Sequence, residues 1–547
     1  MSTMEVDGKK VSWEGRKMIL QACLDNGVEL PHYCYHQGLS IVASCRICLV
    51  EVENPDPKDP GKLVKIPKLL PACQTPAVDG MKVHGQSPKA VANQKAVLEF
   101  LLLNHPLDCP VCDQAGECYL QDYSFRYGRA QSRFEEDKAK KPKKDIGRHV
   151  LLYSDRCIMC TRCVRFTREI SGTGELGVFG RGHKEEIDVF PGQSLDNPLS
   201  GNVIDICPVG ALLDKDFLFT QRVWFLKKSP SISPFSSGGE NIFIEHNQGR
   251  VYRIKPRFHK DINQWWISDD IRYGWNFIHT NRQKRISVRG SADGANWEYS
   301  LGRLEQMFRK AVAEKGAGST VLLLSPFDST EEMFLAARWI RGIDSQARLI
   351  LNPPKIAGQD QVFRNPATGA VTYVIRAEKA PNRRGAEKII AHFGEPAAGR
   401  PDSLDELAAK AKSGNISAAL VLADPIAHND SRLGEVFAGL ENLVTLSTRP
   451  DGLVGRAALA LPVCTWAEKA GVFENYEGRI QAFAQAVTPL EETRGAGDVF
   501  WDLLSQAGTY NAAAVRRLMV QAGLAEYADV SVPQREKGVE LMQFVEL

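Results

Sequence analysis

The spacing of hydrophobic and polar positions changes its period along the chain. Residues 5–11 predict a β-hairpin with Asp-Gly at its turn, and residues 18–26 carry apolar side chains at helical spacing. Two short strands and a helix in this order predict a small ferredoxin-type α+β unit. Residues 91–103 predict a further helix, which Pro106 cannot continue.

The pattern changes again further along the chain. Residues 134–144 are almost all charged and predict a linker or a surface excursion. From about residue 319, apolar runs typical of strands, at 321–324 and 420–422, alternate with longer helical stretches such as 330–341. This alternation predicts an α/β layer.

Length and charge limit the functions that the chain can have. A chain of 547 residues is too long for one core, so several domains are expected. The 68 Lys and Arg balance 66 Asp and Glu, which gives no sign of nucleic-acid binding. No apolar run approaches the roughly 20 residues that cross a bilayer, and the polar start is typical of neither a secretory signal nor a transit peptide. Membrane association is therefore expected through partners only.

The cysteines carry the strongest functional signal. Twelve of the thirteen lie within the first 207 residues, and their CxxC pairs favour metal sites in a reducing compartment over a disulfide scaffold. Eleven of the twelve join His105 in three groups. The first group is Cys34, Cys45, Cys48 and Cys73, the second is His105, Cys109, Cys112 and Cys118, and the third is Cys157, Cys160, Cys163 and Cys207.

The first group has a close CxxC pair and a distant fourth thiol, as plant-type [2Fe-2S] sites have, although ten residues separate Cys34 from Cys45. It predicts a [2Fe-2S] cluster in a loop, and the same thiolates could instead form a structural zinc site. Cys23 lies on the preceding helical face and is interpreted as a small buried hydrophobic residue.

The second group combines one imidazole with three thiolates. Such a set closes a four-coordinate site for a [4Fe-4S] cluster or for zinc. A lone His beside a Pro is more often structural, but the CxxC pair of Cys109 and Cys112 just after His105 favours a ligand role. A neutral imidazole in place of a thiolate makes the bound cluster less negative, which by itself raises the reduction potential.

The third group has the most specific spacing. Cys157, Cys160 and Cys163 form the CxxCxxC run of ferredoxins, and Cys207 followed by Pro208 supplies the remote fourth ligand. No second CxxCxxC run precedes Pro208, so one [4Fe-4S] cube is expected here. Arg162, Arg165 and Arg168 stand beside this site, and they either tune it or form ordinary surface ion pairs.

Two other motifs are given little weight. Residues 172–177 match GxGxxG, the dinucleotide fingerprint, but they lie between cluster ligands and no strand is predicted before them, so they are interpreted as a loop. Cys464 is solitary in an apolar stretch and is interpreted as buried and inert.

Residues 16–280 resemble the large iron-sulfur subunit of the peripheral arm of respiratory complex I, the NADH:quinone oxidoreductase. The segments that carry this resemblance are 34–36, 45–52, 104–114, 160–166 and 201–212. The resemblance implies a [2Fe-2S] cluster on the first group, a [4Fe-4S] cluster with one histidine ligand on the second, and a [4Fe-4S] cluster on the third. It also implies that NADH is oxidised at a flavin on a neighbouring subunit and that electrons pass toward quinone-proximal iron-sulfur subunits.

Beyond residue 216 the chain resembles the molybdopterin oxidoreductase superfamily. Residues 251–254, 261–263, 266–269, 468–471 and 475–481 carry that resemblance. Some relatives have a further cysteine cluster where residues 231–240 here contain no cysteine, so no fourth cluster is expected. About 330 residues are short for a domain that encloses two pterins. This half is therefore predicted to be a scaffold without molybdopterin.

Together these observations predict a multidomain α+β and α/β protein that acts as an electron-relay subunit without a catalytic residue of its own. We expect partner subunits to hold it at the cytoplasmic face of a bacterial inner membrane or on the matrix side of a mitochondrial one. The alternatives are a molybdenum or tungsten formate dehydrogenase, an iron hydrogenase, or a zinc-bound scaffold. The predicted divisions are a [2Fe-2S] ferredoxin-type domain at 1–85, a [4Fe-4S] domain with one histidine and three cysteine ligands at 86–125, a charged linker at 126–147, a [4Fe-4S] ferredoxin-type domain at 148–215, a cluster-less module at 216–285 and a truncated molybdopterin oxidoreductase-like domain at 286–547.

Overall fold

Small sheets and short helices make up the first half of the chain, and a larger sheet with helices on both faces makes up the second. The computed structural model describes residues 1–290, 295–394, 403–422, 430–450 and 452–532. The strands are β1 (Ser2–Val6), β2 (Lys9–Trp13), β3 (Leu49–Asp56), β4 (Asp59–Lys65), β5 (Leu70–Pro71), β6 (Lys82–His84), β7 (Lys143–Asp145), β8 (Val150–Tyr153), β9 (Leu176–Phe179), β10 (Glu186–Val189), β11 (Leu212–Asp214), β12 (Lys227–Ile232), β13 (Asn241–Asn247), β14 (Arg250–Pro256), β15 (Ser287–Val288), β16 (Thr320–Leu324), β17 (Arg348–Leu351), β18 (Gln361–Arg364), β19 (Val371–Ile375), β20 (Ala418–Leu422), β21 (Asn442–Ser447), β22 (Leu459–Pro462), β23 (Gly471–Glu474) and β24 (Ile480–Phe483). The helices are α1 (Ile19–Asp25), α2 (Pro88–Leu102), α3 (Tyr119–Tyr127), α4 (Arg162–Glu169), α5 (Asn202–Ile206), α6 (Asp269–Tyr273), α7 (Trp297–Lys315), α8 (Thr330–Ile343), α9 (Arg383–Phe393), α10 (Leu404–Lys412), α11 (Asp430–Val436), α12 (Ala496–Leu503) and α13 (Ala512–Gln521).

The N-terminal sheet has the predicted hairpin at one edge. β1 and β2 pair antiparallel around Asp7 and Gly8, and both residues have the positive φ that a type I′ turn requires, at 47° and 82°. The strand order is β2-β1-β6-β3-β4, with β5 added beside β3. Because β1 pairs parallel with β6, the chain leaves this sheet for its cysteine loops and then returns to it. The ferredoxin-type α+β unit is confirmed.

A second core contains Cys118, Cys163 and Cys207, and Cys45 and Cys157 pack against it. α2 begins at the Ser87 cap, whose side chain accepts a hydrogen bond from the Ala90 amide, and ends before the predicted break at Pro106. The apolar faces of α2, α3, α4 and α5 meet the strands β8 and β11 in one cluster of buried residues. Tyr33 from the N-terminal unit and Trp266 from the following module lie in the same cluster. The N-terminal unit thus has its own core, which contains Cys48 and Cys73, and also contributes side chains to this second core.

The segment predicted as a linker lies between these helices and β7. Residues 134–142 form neither helix nor strand, and the strand β7 begins at Lys143. The GxGxxG segment follows helix α4, and Gly172 and Gly174 both have positive φ. Its loop interpretation is confirmed up to the start of β9 at Leu176.

The predicted α/β layer is confirmed in the second half. The sheet order is β15-β22-β21-β20-β16-β17, in which every pairing is parallel except that of β15 with β22. Side chains of β16 alternate between two buried clusters, Val321 and Leu323 on one face and Leu322 and Leu324 on the other. Among the residues that the structure describes, no helix is long and apolar enough to cross a membrane.

Candidate metal centres

The first group lies in the loops between α1 and β3 and just after β5. Cys34, Cys48 and Cys73 are buried and Cys45 is half-buried. Their thiols pair as Cys34 with Cys45 and Cys48 with Cys73. The hydrogen bond between the first two side chains lowers the pKa of the Cys34 thiol and raises that of the Cys45 thiol, so one of this pair ionises readily without a metal and the other does not.

The loop reaches this arrangement through left-handed backbone. Arg46 has a φ of 58° between Cys45 and Cys48, and an L residue adopts this conformation only under constraint. The turn brings both thiols of the CxxC pair toward Cys34 and Cys73. Cys23 lies fully buried on α1, where burial raises the pKa of its thiol to about 12, in agreement with its interpretation as a hydrophobic residue.

The second group lies between α2 and α3. Cys109 is exposed, Cys112 and Cys118 are buried, and the charges of Cys109 and Cys112 both act on Cys118. Burial lowers the pKa of the His105 imidazole to about 4, and the Arg156 guanidinium contributes to that decrease. The imidazole is therefore neutral, with a nitrogen lone pair that can bind iron.

The third group surrounds a small cavity at the start of α4. All four thiols, those of Cys157, Cys160, Cys163 and Cys207, line this cavity together with Leu152 and other apolar side chains. The residues between the cysteines, Met159 and Thr161, have positive φ of 53° and 58°. These two tight turns direct consecutive thiols into one space, as a ferredoxin run requires.

Burial without a metal raises the thiol pKa values of this group. Desolvation raises the pKa of Cys157 to about 12 and that of Cys160 to about 11, and neighbouring thiols add to the effect at Cys157. A cluster of buried thiols is unfavourable to ionise unless a cation compensates the thiolates. The chemistry of this donor set fits an iron-sulfur cluster.

Close backbone contacts connect the third group to the second. A Cβ placed on Gly210 would lie 2.3 Å from the Cys112 sulfur, and the Tyr119 amide donates to the Pro208 carbonyl at 3.1 Å. Arg156, buried directly before Cys157, donates to the carboxylate of Asp108 at 2.7 Å. Gly210 and Arg156 were missed by reasoning from sequence, although each stands within three residues of a predicted ligand.

The arginines beside the third group differ in their surroundings. Arg162 and Arg165 are buried, which rules out ordinary surface pairing for these two. Arg168 is exposed on the same helix. The surface-pairing interpretation is therefore wrong for Arg162 and Arg165, and for the exposed Arg168 it stays a prediction.

Within the described part of the chain, no three side chains of His, Cys, Asp or Glu are arranged as ligands of a single metal ion. The ligands of a cluster with several irons lie farther apart than the ligands of a single metal ion. The ligand assignments rest on spacing, on the shared cavity and on the domain matches that follow.

Five domain families match the chain, and together they define an iron-sulfur protein with a molybdopterin oxidoreductase-type domain. The matches are the 2Fe-2S iron-sulfur cluster binding domain at 1–88, the NADH-ubiquinone oxidoreductase-G iron-sulfur binding region at 94–133, the ferredoxin-like domain of NADH-quinone oxidoreductase subunit 3 at 147–213, the NDSU1/NuoG-like 4Fe-4S domain of NADH-ubiquinone oxidoreductase at 226–276 and the molybdopterin oxidoreductase domain at 305–506. Residues 226–276 contain no cysteine despite matching a 4Fe-4S domain.

Curated relatives are subunits of NADH-quinone oxidoreductase. The chain is 38% identical over 347 residues to the G subunit of the NADH-quinone oxidoreductase of Rickettsia conorii, covering 63% of this chain and 50% of the relative. It is 43% identical over 310 residues to the mitochondrial NADH-ubiquinone oxidoreductase 78 kDa subunit of Neurospora crassa, covering 56% and 40%. The chain thus matches half or less of each relative's length. The resemblance to the large iron-sulfur subunit of complex I is confirmed.

A solved structure, an NAD+-reducing [NiFe]-hydrogenase in the H2-reduced state, is also similar. One of its chains is 27% identical, with a TM-score of 0.35, over 41% of this chain and 91% of that one.

Proposed function

We propose that this chain is an electron-relay subunit of NADH:quinone oxidoreductase. The observation that carries the proposal is that three thiol groups with iron-sulfur spacing lie within contact distance of one shared core, in segments that match iron-sulfur domains. The relatives are named as subunits of NADH-quinone and NADH-ubiquinone oxidoreductase, which supports the proposal. An electron relay needs several centres held close together in protein that excludes water.

The proposed ligands are the twelve residues of the three groups. Cys34, Cys45, Cys48 and Cys73 would hold one [2Fe-2S] cluster. One [4Fe-4S] cluster would be held by His105, Cys109, Cys112 and Cys118, and a second by Cys157, Cys160, Cys163 and Cys207. When bound, these clusters supply one-electron transfer. The protein's own residues bury the sites and fix their separations.

The contacts favour an arrangement with the third group in the middle. Arg162 and Arg165 bind carbonyls of the first-group loop, and Gly210 packs against Cys112 of the second group. Tyr33 lies near both Cys45 and Cys118, so the first and second groups are also close. We propose a compact relay rather than separate sites on independent domains.

The second half is proposed to be a scaffold that binds no molybdopterin. Its lone thiol, Cys464, is buried, and burial raises the pKa of that thiol to about 12. Beside it the Lys469 ammonium binds the carboxylates of Glu332 and Asp328 at 2.6 and 3.0 Å. No second cysteine and no histidine is among the residues that line the cavity beside Cys464, so the described residues there offer a metal one thiol only.

Partners and location follow from the same proposal. A flavin-bearing subunit would oxidise NADH, since a hydride donor needs a cofactor that accepts two electrons and releases them singly. Other iron-sulfur subunits would accept the electrons on the way to quinone. The partner subunits would hold this chain at the cytoplasmic face of a bacterial membrane, or the matrix side of a mitochondrial one. The domain limits predicted from sequence are kept as part of the proposal.

Metal analysis and electron paramagnetic resonance (EPR) of the purified full chain test this proposal. We expect about ten irons, two plus four plus four, and no stoichiometric molybdenum, tungsten or zinc. Dithionite should reduce the chain and NADH should not. Stoichiometric zinc with no EPR signal would support the zinc scaffold instead, and bound molybdenum or tungsten would support a dehydrogenase. NADH-dependent dye reduction free of flavoprotein contaminants would show that a catalytic site was missed.

A further inference from the structure

Helix α4 carries two buried arginines beside the third-group ligand Cys163. Arg162 is 0% exposed and Arg165 is 8% exposed. They are three residues apart, so both project from the same side of the helix. Both donate hydrogen bonds to backbone carbonyls of other segments. The charges of Cys160, Cys34 and Glu169 also act on the Arg165 guanidinium.

Arg165 connects the first group to the third through a single nitrogen. Its Nη2 atom donates to the carbonyl oxygen of Cys34 at 2.5 Å and to that of Cys160 at 3.2 Å. Its Nη1 atom donates to the Ser40 carbonyl at 2.5 Å, which fixes the loop that follows Cys34. One guanidinium thus bonds directly to the backbone of a ligand in each group.

Arg162 repeats the same connection one turn earlier. Its guanidinium donates to the carbonyl of Tyr35, the residue after Cys34, and to that of Ile206, the residue before Cys207, the latter at 3.3 Å. The planar guanidinium suits this role, because it directs several N–H groups to acceptors in fixed directions.

Burial makes the charge of Arg165 effective at both sites. Taking a cation out of water is unfavourable unless negative charge lies nearby. Each four-thiolate cluster would be anionic and would gain one further negative charge on reduction. A buried cation close to two such centres favours the reduced form of both.

We propose that Arg165 is a positioning residue that holds the first and third groups at a fixed separation and raises the reduction potentials of both bound clusters together. This inference rests on the proposed function. It goes beyond that function by assigning one side chain to two centres. The inference assigns Arg165 no role at the second group, whose contacts to the third group run through Arg156 and Gly210.

The test is a redox titration of the full chain followed by EPR. Arg165→Met removes the charge and the bridge, Arg165→Lys keeps the charge, and Arg168→Met removes an exposed charge from the same helix as the matched control. In Arg165→Met the ratio of reduced to oxidised cluster at a fixed potential should fall about tenfold for the first and third groups, which is a shift of about 59 mV for one electron. The second group should keep its potential. Arg165→Lys should restore most of the shift.

Several outcomes would overturn the inference. They are an unchanged potential in Arg165→Met, a shift at one group only, or an equal shift in Arg168→Met. If Arg165→Met loses its clusters, pulsed EPR on Arg165→Lys tests the bridge instead. Loss of the bridge should broaden the distribution of distances between the first and third centres. An unchanged distribution would then refute the bridge. Absence of clusters from the unaltered chain would instead refute the proposed function.

Discussion

Gly210 offers a way to disturb the second group without changing any of its ligands. It lies on the segment after Cys207, outside the positive-φ positions of the backbone, so alanine fits its conformation. A Cβ built there would lie 2.3 Å from the Cys112 sulfur and 3.2 Å from the Gln114 Cβ. The expected effect of Gly210→Ala is therefore steric.

The required displacement can be worked out from these distances. Non-bonded heavy atoms approach to about 3.5 Å, so the sulfur or the backbone must move by roughly 1.2 Å. Overpacking of this kind costs about 1–3 kcal/mol in a well-packed interior. A ligand displaced by roughly 1.2 Å cannot keep an iron–sulfur bond of about 2.3 Å, the Zn–S length taken as a guide. We expect Gly210→Ala to lose or alter the second-group cluster while the first-group signal remains.

EPR of the dithionite-reduced full chain measures this, with iron content as a second reading. Gly302→Ala is the matched control, since Gly302 lies within α7 and an added Cβ there meets no atom within 4 Å. That change should leave every signal intact and stabilise the helix by about 0.5–1 kcal/mol. If Gly210→Ala showed the same second-group signal and the same iron content as the unaltered chain, the packing described between the two groups would be incorrect.

Three further outcomes are expected. His105→Ala should abolish or alter the second-group EPR signal and leave the other two; survival of all three signals unchanged would show that His105 is not a ligand. Arg282 and Glu468 form a bidentate ion pair at 2.8 and 3.1 Å with both side chains buried. In denaturant titrations Arg282→Met should lower the free energy of unfolding of the second half by about 3–5 kcal/mol, and adding Glu468→Gln should recover part of that loss. Equal losses in the single and the double variant would contradict this. Burial raises the pKa of Asp214 to about 6, so its contribution to stability is present below about pH 4 and is lost as the pH rises through about 6. Asp214→Asn should therefore increase the free energy of unfolding at about pH 8 by at most about 3 kcal/mol, seen as a higher thermal midpoint, and should not do so at about pH 4. The exposed Asp59→Asn is the control, and a gain independent of pH would refute the assignment.

Local features of the fold were predictable because neighbouring residues determine them. The Asp7-Gly8 turn needs positive φ at both positions, and Asp and Gly accept it. The predicted helix at 330–341 is observed as Thr330–Ile343, with the Ser329 and Glu332 side chains forming a capping box at its start. The thiol groups were predictable from spacing, because a tight turn between two ligands fixes the number of residues that separate them.

Contacts between distant segments were not predictable in the same way. For Arg162 and Arg165, tuning of the site and surface pairing both stayed open, because nothing within their own segment shows that carbonyls of Tyr35 and Cys34 will meet them across more than 120 residues. Gly210 likewise gives no local sign that it packs against Cys112. Burial of a charged residue depends on tertiary packing, which a single sequence does not encode in any short pattern.

The buried side chain of Trp266 joins two segments that are distant from it in the sequence. Its ring stacks on His36 at 5.5 Å and meets Phe166 at 5.0 Å, so it covers the loop that follows Cys34. Residue 266 lies outside all three ligand groups, yet its ring packs against segments that carry two of them. A smaller side chain at this position would therefore loosen the first-group loop and helix α4 together.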